Sequence, residues 1–243
     1  AYDYPTAKFV AEAGVDMIVT GAGFSRDIFK VGKEYDVPIV SIVSSPEFGK
    51  LAERLGAAAV VVEAKEAGGH LGTDRPLREL FPEVRKVVKK IPLIAAGGIT
   101  DGLEIAEMMG KFGADAVQMA TRFVCTHECD VSAEFKQAYL DAKEEDIVII
   151  KSPVGIPGRA LRNPFIKKLE VQGRIPIQCP YRCLTACKVQ EAKFCIAKAL
   201  LNSYFGDVDN GLIFTGQNSY RIDKIVSVKE LIAELMDGVR AAA

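Results

Sequence analysis

Short apolar runs alternate with amphipathic stretches through the first half of the chain. Between the runs, apolar residues recur at helical spacing, as Val84, Val87 and Val88 do. Runs that are apolar throughout are typical of parallel strands buried on both faces, with helices as the crossover connections. The pattern therefore predicts an α/β fold of repeated βα units, with strands at residues 15–20, 37–43, 57–63, 91–96 and 115–120.

One junction recurs between these units. Three glycines, Gly14, Gly56 and Gly113, each stand between a predicted helix and an apolar strand. Glycine is favoured after a helix because the backbone there often adopts the left-handed conformation. Five such units fit a doubly wound, flavodoxin-like sheet. They fit equally well the last five strands of an eight-stranded (β/α)₈ barrel whose first three strands are missing. Periodicity alone does not choose between the two.

Two segments have the spacing of a capping box, in which a short polar residue is followed three positions later by Glu. Asp101 with Glu104 predicts a helix that begins near Gly102, and Ser227 with Glu230 predicts the start of the terminal helix. The pattern also predicts helices at residues 1–13, 27–33, 46–55, 125–140 and 186–204, a helix from Pro82, an extended segment at 146–154, turns at 22–23 and 155–159, and an irregular connector at 164–180.

Composition narrows the function classes. The 243 residues include 31 basic and 32 acidic side chains with no basic block, which argues against nucleic-acid binding. The apolar runs are shorter than the roughly 20 residues that a membrane-spanning helix needs. Six cysteines without a secretion signal suggest thiols in a reducing compartment, so we expect a cytoplasmic protein.

The clearest signal of a binding site lies between residues 91 and 123. Gly97 and Gly98 end one predicted strand, and Ala120 and Thr121 end the next. Small residues at such junctions let backbone N–H groups approach an anion. In a (β/α)₈ barrel, the loops after the last two strands are the usual phosphate site. The alternative is that these glycines only make tight turns.

His70 is the strongest candidate for chemistry. It follows a predicted strand within a Gly-Gly-His-Leu-Gly turn, at the end of the sheet where barrel active sites are built. Its ordinary pKa, near ~6.5, suits a general base or a hydrogen-bond donor. A histidine bonded within its own loop is the alternative. His127, the other histidine, is interpreted as a solvated neighbour of a helix start.

Four cysteines form a second cluster in the sequence. Cys179, Cys183 and Cys187 follow a C-x₃-C-x₃-C pattern, with Cys195 eight residues further on. Such thiols could hold an iron–sulfur cluster or zinc. The pattern lacks the C-x₂-C pairs typical of structural zinc, so we expect thiols and assign no metal.

Three ordered motifs, EAKEAGGHLG, IPLIAAGGITDG and GADAVQMATRFV, resemble the nitronate monooxygenase (2-nitropropane dioxygenase) family. That family also includes the FMN-dependent enoyl-acyl-carrier-protein reductase II. The resemblance extends to TGAG, to KSPVGIPGRALRN and to GQNSYRIDKIVSVKEL, and so covers essentially the whole chain.

The resemblance implies a TIM barrel that binds FMN. The flavin phosphate is then expected on Gly97-Gly98 and Ala120-Thr121. His70 is expected beside the flavin as a catalytic or substrate-binding residue. The residues expected to bind the cofactor are Thr20, Gly21, Gly69, Ala96, Gly97, Gly98, Gln118, Ala120, Thr121 and Gln217.

Two departures from the family pattern stand out. Family members begin with about three more strands, one bearing a Gly-Gly-Met turn, so we expect the chain to be the carboxyl-terminal part of a longer barrel. Some nitronate monooxygenases have a lysine where this chain has Ile42.

Residues 1–160 are expected to form the FMN-binding barrel portion, and residues 161–243 a helical elaboration packed on it.

Three functions follow from these expectations. The first is oxidation of alkyl nitronates with O₂, and the second is reduction of an enoyl thioester with NAD(P)H as co-substrate. The third is a barrel fragment without activity. The expected partners are a small-molecule substrate (a nitronate or an enoyl thioester) and O₂, with no nucleic acid or membrane, and a homodimer is the assembly considered.

Overall fold

The computed structural model describes residues 4–21, 25–179, 183 and 187–242. Within it the chain forms two compact units. Unit 1 takes in the residues up to Glu66, Gly72–Gln118 and the residues from Asp237 onward, and unit 2 consists of Ala67–Leu71 and Met119–Met236. Within the described ranges, no helix has the length and apolar character needed to cross a membrane.

The strands form two sheets. Their bounds are β1 (Ile18–Thr20), β2 (Ile39–Val43), β3 (Ala59–Glu63), β4 (Gly69–His70), β5 (Leu93–Ala96), β6 (Ala116–Gln118), β7 (Ile147–Lys151) and β8 (Pro157–Leu161). One sheet has the order β1-β2-β3-β5-β6, and the other has the order β4-β8-β7.

The helices that follow these strands are short to medium in length. Their bounds are α1 (Tyr4–Glu12), α2 (Arg26–Glu34), α3 (Pro46–Leu55), α4 (Leu77–Val87), α5 (Gly102–Ala106), α6 (Thr121–Val124), α7 (Ala133–Leu140), α8 (Pro164–Gln172), α9 (Ile196–Tyr204) and α10 (Val228–Ala241). A π-helical turn, Glu107–Lys111, continues α5.

The sheet of unit 1 settles which α/β architecture the repeated units build. All four strand pairs are parallel, and the strands follow one another across the sheet in the order of the sequence. A doubly wound sheet reverses its strand order at a switch point, whereas a (β/α)₈ barrel does not. The predicted α/β fold is confirmed, and the strand order is that of the barrel.

The two faces of this sheet have different roles. Val60 and Val62 are fully buried on one face, and α3 and α4 both pack against the strand that carries them. The other face carries a cluster of Val40, Ala59 and Val61 that extends to Ala96. Because side chains alternate along a strand, each end residue shares a face with the residue two positions before it.

Helix α4 begins earlier than the sequence suggested. The prediction of a start at Pro82 is wrong, since the helix begins at Leu77 and Pro82 lies inside it. Leu77, Leu80, Phe81 and Val84 form one buried stripe that continues across the proline. Burial of that stripe outweighs the one backbone hydrogen bond that proline removes.

Unit 2 is built around an antiparallel sheet whose central strand is β8. The turn predicted at 155–159 is wrong from Pro157 onward, because Pro157–Leu161 form that strand, whereas Gly155 has φ +90° and lies in a bend. Helix α8 lies in the predicted irregular connector, where the Asn163 side chain caps it by accepting from Ile166 N–H at 3.2 Å. Pairing with strands distant in sequence decides β8, whereas α8 carries local signals that the prediction missed: Asn163 and Pro164 at its start and the left-handed Gly173 at its end.

Two other helices of unit 2, α7 and α9, are shorter than predicted. Helix α7 begins only after Ser132, whose hydroxyl accepts a hydrogen bond from Phe135 N–H at 3.2 Å. Helix α9 begins at Ile196, while residues 184–186 lie outside the described residues. By contrast, the capping boxes at Asp101 and Ser227 are both confirmed as helix starts.

The units do not follow the boundary expected at residue 160, since residues 119–160 group with the later part of the chain. The domain boundary stays a prediction.

Gly68 is required by packing. A Cβ at this position would lie 2.7 Å from the backbone carbon of Thr215 and 2.8 Å from Gly216 N. Because both neighbours are backbone atoms, Gly68→Ala should lower the free energy of unfolding by about 1–3 kcal/mol, measured by chemical denaturation.

Gly110→Ala is the matched control, since a Cβ there would meet nothing within 4 Å. It should leave stability unchanged or raise it. Equal stability of the two variants would show that the loop at Gly68 relaxes freely.

Candidate functional site

In unit 1, three strands end in register at the carboxyl edge of the parallel sheet. Glu63 at the end of β3 pairs with Ala96 at the end of β5, and Ala96 pairs with Gln118 at the end of β6. Side chains in register on neighbouring strands lie on the same face. The edge therefore presents a carboxyl group, a methyl group and an amide side by side.

A glycine turn follows this edge. Gly97 has φ +104° and Gly98 has φ +75°, which are conformations that residues with a Cβ rarely adopt. The chain then enters α5, where Asp101 accepts a hydrogen bond from Glu104 N–H at 2.8 Å and Glu104 accepts one from Thr100 N–H at 2.7 Å. Hydrogen bonds of Asp101 and Glu104 therefore hold the end of the turn where α5 begins, and the two glycines of the turn have no side chains.

Glu63 was not identified from the sequence. It lies on the face of Ala59 and Val61, at the end of an apolar row, and burial raises its pKa to about 7. A carboxyl group at a strand end beside the glycine turn is the kind of group that functional sites tune. The available signal was its place as the last residue of an apolar run.

Thr20 and Gly21, two residues expected to bind the cofactor, lie at the end of β1. The Thr20 side chain is buried, and its hydroxyl accepts a hydrogen bond from Ile42 N–H at 3.4 Å. Thr20 therefore helps to hold β1 and β2 together. Gly21 is half-buried, and the turn predicted at residues 22–23 lies outside the described residues.

In unit 2, the turn that carries His70 is an edge strand of the antiparallel sheet. Gly69 pairs with Arg159 and His70 pairs with Gly158. The buried Arg159 side chain donates from Nε to Ala67 O at 3.2 Å, which ties the start of the turn to β8.

The imidazole of His70 has two defined contacts. Its Nε2 lies 2.8 Å from Ser152 Oγ, and its ring meets the Phe214 ring edge-on at a centroid distance of 5.0 Å. Burial lowers the pKa of His70, so the neutral ring is favoured at pH 7. The side chain is thus oriented and uncharged, so one ring nitrogen is a hydrogen-bond donor and the other an acceptor.

Three more predicted residues lie at the start of α6 or near it. The hydroxyl of Thr121 accepts a hydrogen bond from Gly216 N–H at 3.1 Å, which brings Gln217 next to that junction. Ala120 is exposed and Gln217 is half-buried. The structure therefore brings Thr121 and Gln217 together, which sequence separation did not suggest.

The remaining candidates carry less. His127 is exposed, as predicted. Within the described part of the chain, no group of His, Cys, Asp or Glu side chains could hold a metal ion. Pro180, between Cys179 and Cys183, lies outside the described residues. Cys125, by contrast, is fully buried, and burial raises its pKa to about 11, so its thiol is unreactive.

Glu63 makes stability depend on pH. Its pKa is about 7 in the folded chain and 4.5 ordinarily, so its contribution is fully present below pH 4.5 and is lost as pH rises to about 7. Glu63→Gln should therefore raise the free energy of unfolding at pH 8, by on the order of 2–3 kcal/mol, and change it little at pH 4.

Glu83→Gln is the control of opposite sign. Arg75 lowers the pKa of Glu83 through a hydrogen-bonded ion pair, so removing that carboxylate should not stabilise the protein at pH 8. Denaturation curves at pH 4 and pH 8 measure both variants. Equal effects of Glu63→Gln at the two pH values would show that Glu63 ionises normally.

A family model described as nitronate monooxygenase matches residues 3–238. A probable nitronate monooxygenase of Staphylococcus aureus (strain MSSA476) is 32% identical over 161 residues, which cover 63% of this chain and 45% of that protein. The chain therefore spans about half the length of the curated relatives it matches.

Two solved structures are similar over most of the chain. FabK from Thermotoga maritima is 31% identical, with a TM-score of 0.82, and the match covers 97% of this chain and 71% of FabK. Nitroalkane oxidase from Streptomyces ansochromogenes has a TM-score of 0.77 at 24% identity, covering 97% of this chain and 67% of that one, and supports the fold alone. The family match takes in both the glycine turn and the histidine turn, and the chain belongs to the nitronate monooxygenase family.

Proposed function

We propose that the protein is an FMN-dependent oxidoreductase that oxidises alkyl nitronates with O₂. The observation that carries this proposal is the match of the nitronate monooxygenase model to residues 3–238, because it includes every motif discussed above. The similarity to the S. aureus relatives supports the same class.

The residues present fit a cofactor that bears a phosphate. Gly97 and Gly98 form a half-buried turn with two positive φ values and no side chain, so the backbone is open to close approach. We propose that this turn holds the phosphate. When bound, FMN supplies the electron transfer between the organic substrate and O₂.

The other residues expected to bind the cofactor stay predictions. In unit 1 they are Thr20, Gly21, Ala96 and Gln118. In unit 2 they are Gly69, Ala120, Thr121 and Gln217.

His70 acts on the substrate in this proposal. Its ring is neutral at pH 7, is held by Ser152 and is backed by Phe214. A neutral imidazole keeps one N–H group, which can donate a hydrogen bond to a nitronate oxygen. In this proposal that donor orients the substrate.

A second candidate is the NAD(P)H-dependent reduction of an enoyl thioester. The observation that favours it is Ile42, which stands where some nitronate monooxygenases carry a lysine. Ile42 packs against the apolar cluster that includes Val40 and Ala96, so no charge is present at that point.

The flavin site is tested with Gly98→Val. A side chain at φ +75° strains the turn and obstructs the phosphate, so the variant should lose bound flavin, seen as loss of visible absorbance after purification. Gly56→Val is the matched control, because Gly56 has φ +91° with open space around it. It should suffer similar strain and keep the flavin. Flavin retained equally by both variants would place the phosphate elsewhere.

The role of His70 is tested with His70→Ala. Removing a base or donor from a transition state typically lowers the rate by ~10²–10⁴-fold, so the variant should keep its flavin spectrum and lose most nitronate turnover. Oxygen consumption with an alkyl nitronate measures this. Rapid anaerobic bleaching of the wild type by NADH, without nitronate turnover, would instead support the reductase.

A further inference from the structure

The contact between His70 and Ser152 spans the antiparallel sheet of unit 2. Gly158 on β8 pairs with His70 on β4 and also with Ile150 on β7, so these three residues form one row. Ser152 lies two positions beyond Ile150. Because the central residue of the row is glycine, no side chain stands between the imidazole and the hydroxyl.

The space above Gly158 is filled by Phe214. A Cβ on Gly158 would lie 2.9 Å from Phe214 Cε1, and the Phe214 ring meets the imidazole edge-on. Phe214 is itself fixed, since its carbonyl accepts a hydrogen bond from Tyr139 Oη at 2.6 Å. The imidazole therefore has a packed aromatic ring on one side and a hydroxyl at Nε2.

The protons of this pair can be assigned by counting donors and acceptors. Ser152 is only 4% exposed, and its Oγ accepts from Val154 N–H at 3.4 Å. Among the described residues, His70 Nε2 is the one acceptor within reach of the Ser152 hydroxyl proton. If Nε2 carried a proton and donated instead, that buried hydroxyl proton would have no partner, which is unfavourable.

We propose that Ser152 is a positioning residue that donates its hydroxyl proton to His70 Nε2 and so fixes the neutral imidazole as the Nδ1–H tautomer. Nδ1 has no hydrogen-bond partner among the described residues, so its N–H is available to a ligand. His70 then presents a donor and not a base.

The role of this tautomer toward a substrate rests on the proposed function, which the assignment refines. A nitronate is already the conjugate base of a nitroalkane, so a residue that acts on it needs to donate to an oxygen and does not need to remove a proton. The same donor would suit the carbonyl oxygen of a thioester. Abstraction of a proton from a neutral nitroalkane is not supported by this tautomer.

The tautomer can be measured without substrate. The protein has two histidines, so ¹⁵N-labelled histidine gives two sets of ring signals, which His127→Gln assigns. At a pH where the ring is neutral, His70 should show a pyridine-type Nε2 and a pyrrole-type Nδ1. Ser152→Ala should shift the ring toward the Nε2–H form, and Ser152→Thr should restore the wild-type signals.

Turnover and stability complete the test. Ser152→Ala should lower kcat for the nitronate by about threefold to tenfold, the effect of one hydrogen bond, and Ser152→Thr should recover it. Ser132→Ala, which removes the cap of α7 in the same unit, is the matched serine control: it should lower thermal stability and leave the tautomer unchanged.

An Nε2–H wild type, or an unchanged tautomer in Ser152→Ala, overturns the proposal. A changed tautomer with unchanged turnover upholds the role of Ser152 and contradicts the action of His70 on the substrate. The failure of one proposal is thus distinguishable from the failure of the other.

Discussion

The parallel register of β3, β5 and β6 is the constraint on which the candidate phosphate site depends. Parallel strands that follow one another in sequence order bring their carboxyl ends to one edge, and here Glu63, Ala96 and Gln118 end in line. Shifting one strand by a single residue would move its side chains to the opposite face. The glycine turn that follows Ala96 takes its position from this register.

A different constraint organises the histidine turn. Two residues, Gly69 and His70, form the edge of an antiparallel sheet whose other strands come from about eighty to ninety residues later in the chain. Glycines at 68 and 158 allow the close approaches of backbone to backbone and of Phe214 to the sheet. The glycines near His70 are therefore required by packing, in addition to any role that the histidine has in chemistry.

Burial controls charge at both places and in opposite directions. It raises the pKa of Glu63 to about 7 and lowers the pKa of His70, because leaving water disfavours the charged form of either group. Each group is thereby shifted toward its neutral form near pH 7. For His70, the neutral form is also the form that can accept a hydrogen bond from the Ser152 hydroxyl.

The sequence by itself determined the repeated βα units, the helix caps at Asp101 and Ser227 and the position of the glycine turn. Each of these is a local property: hydrophobic period, capping chemistry and backbone freedom act over a few neighbouring residues. The choice between a barrel order and a doubly wound order needed the strand pairs themselves, since both arrangements share the same periodicity. Likewise, β8 looked like a turn because its stability comes from strands distant in sequence. Helix α8 was missed although Asn163 before it and Gly173 after it are local signals. Ser152, 82 positions from His70, had no local signal at all. Only the tertiary structure places its hydroxyl on the imidazole, because a hydrogen bond depends on distance in space and leaves no period in the chain.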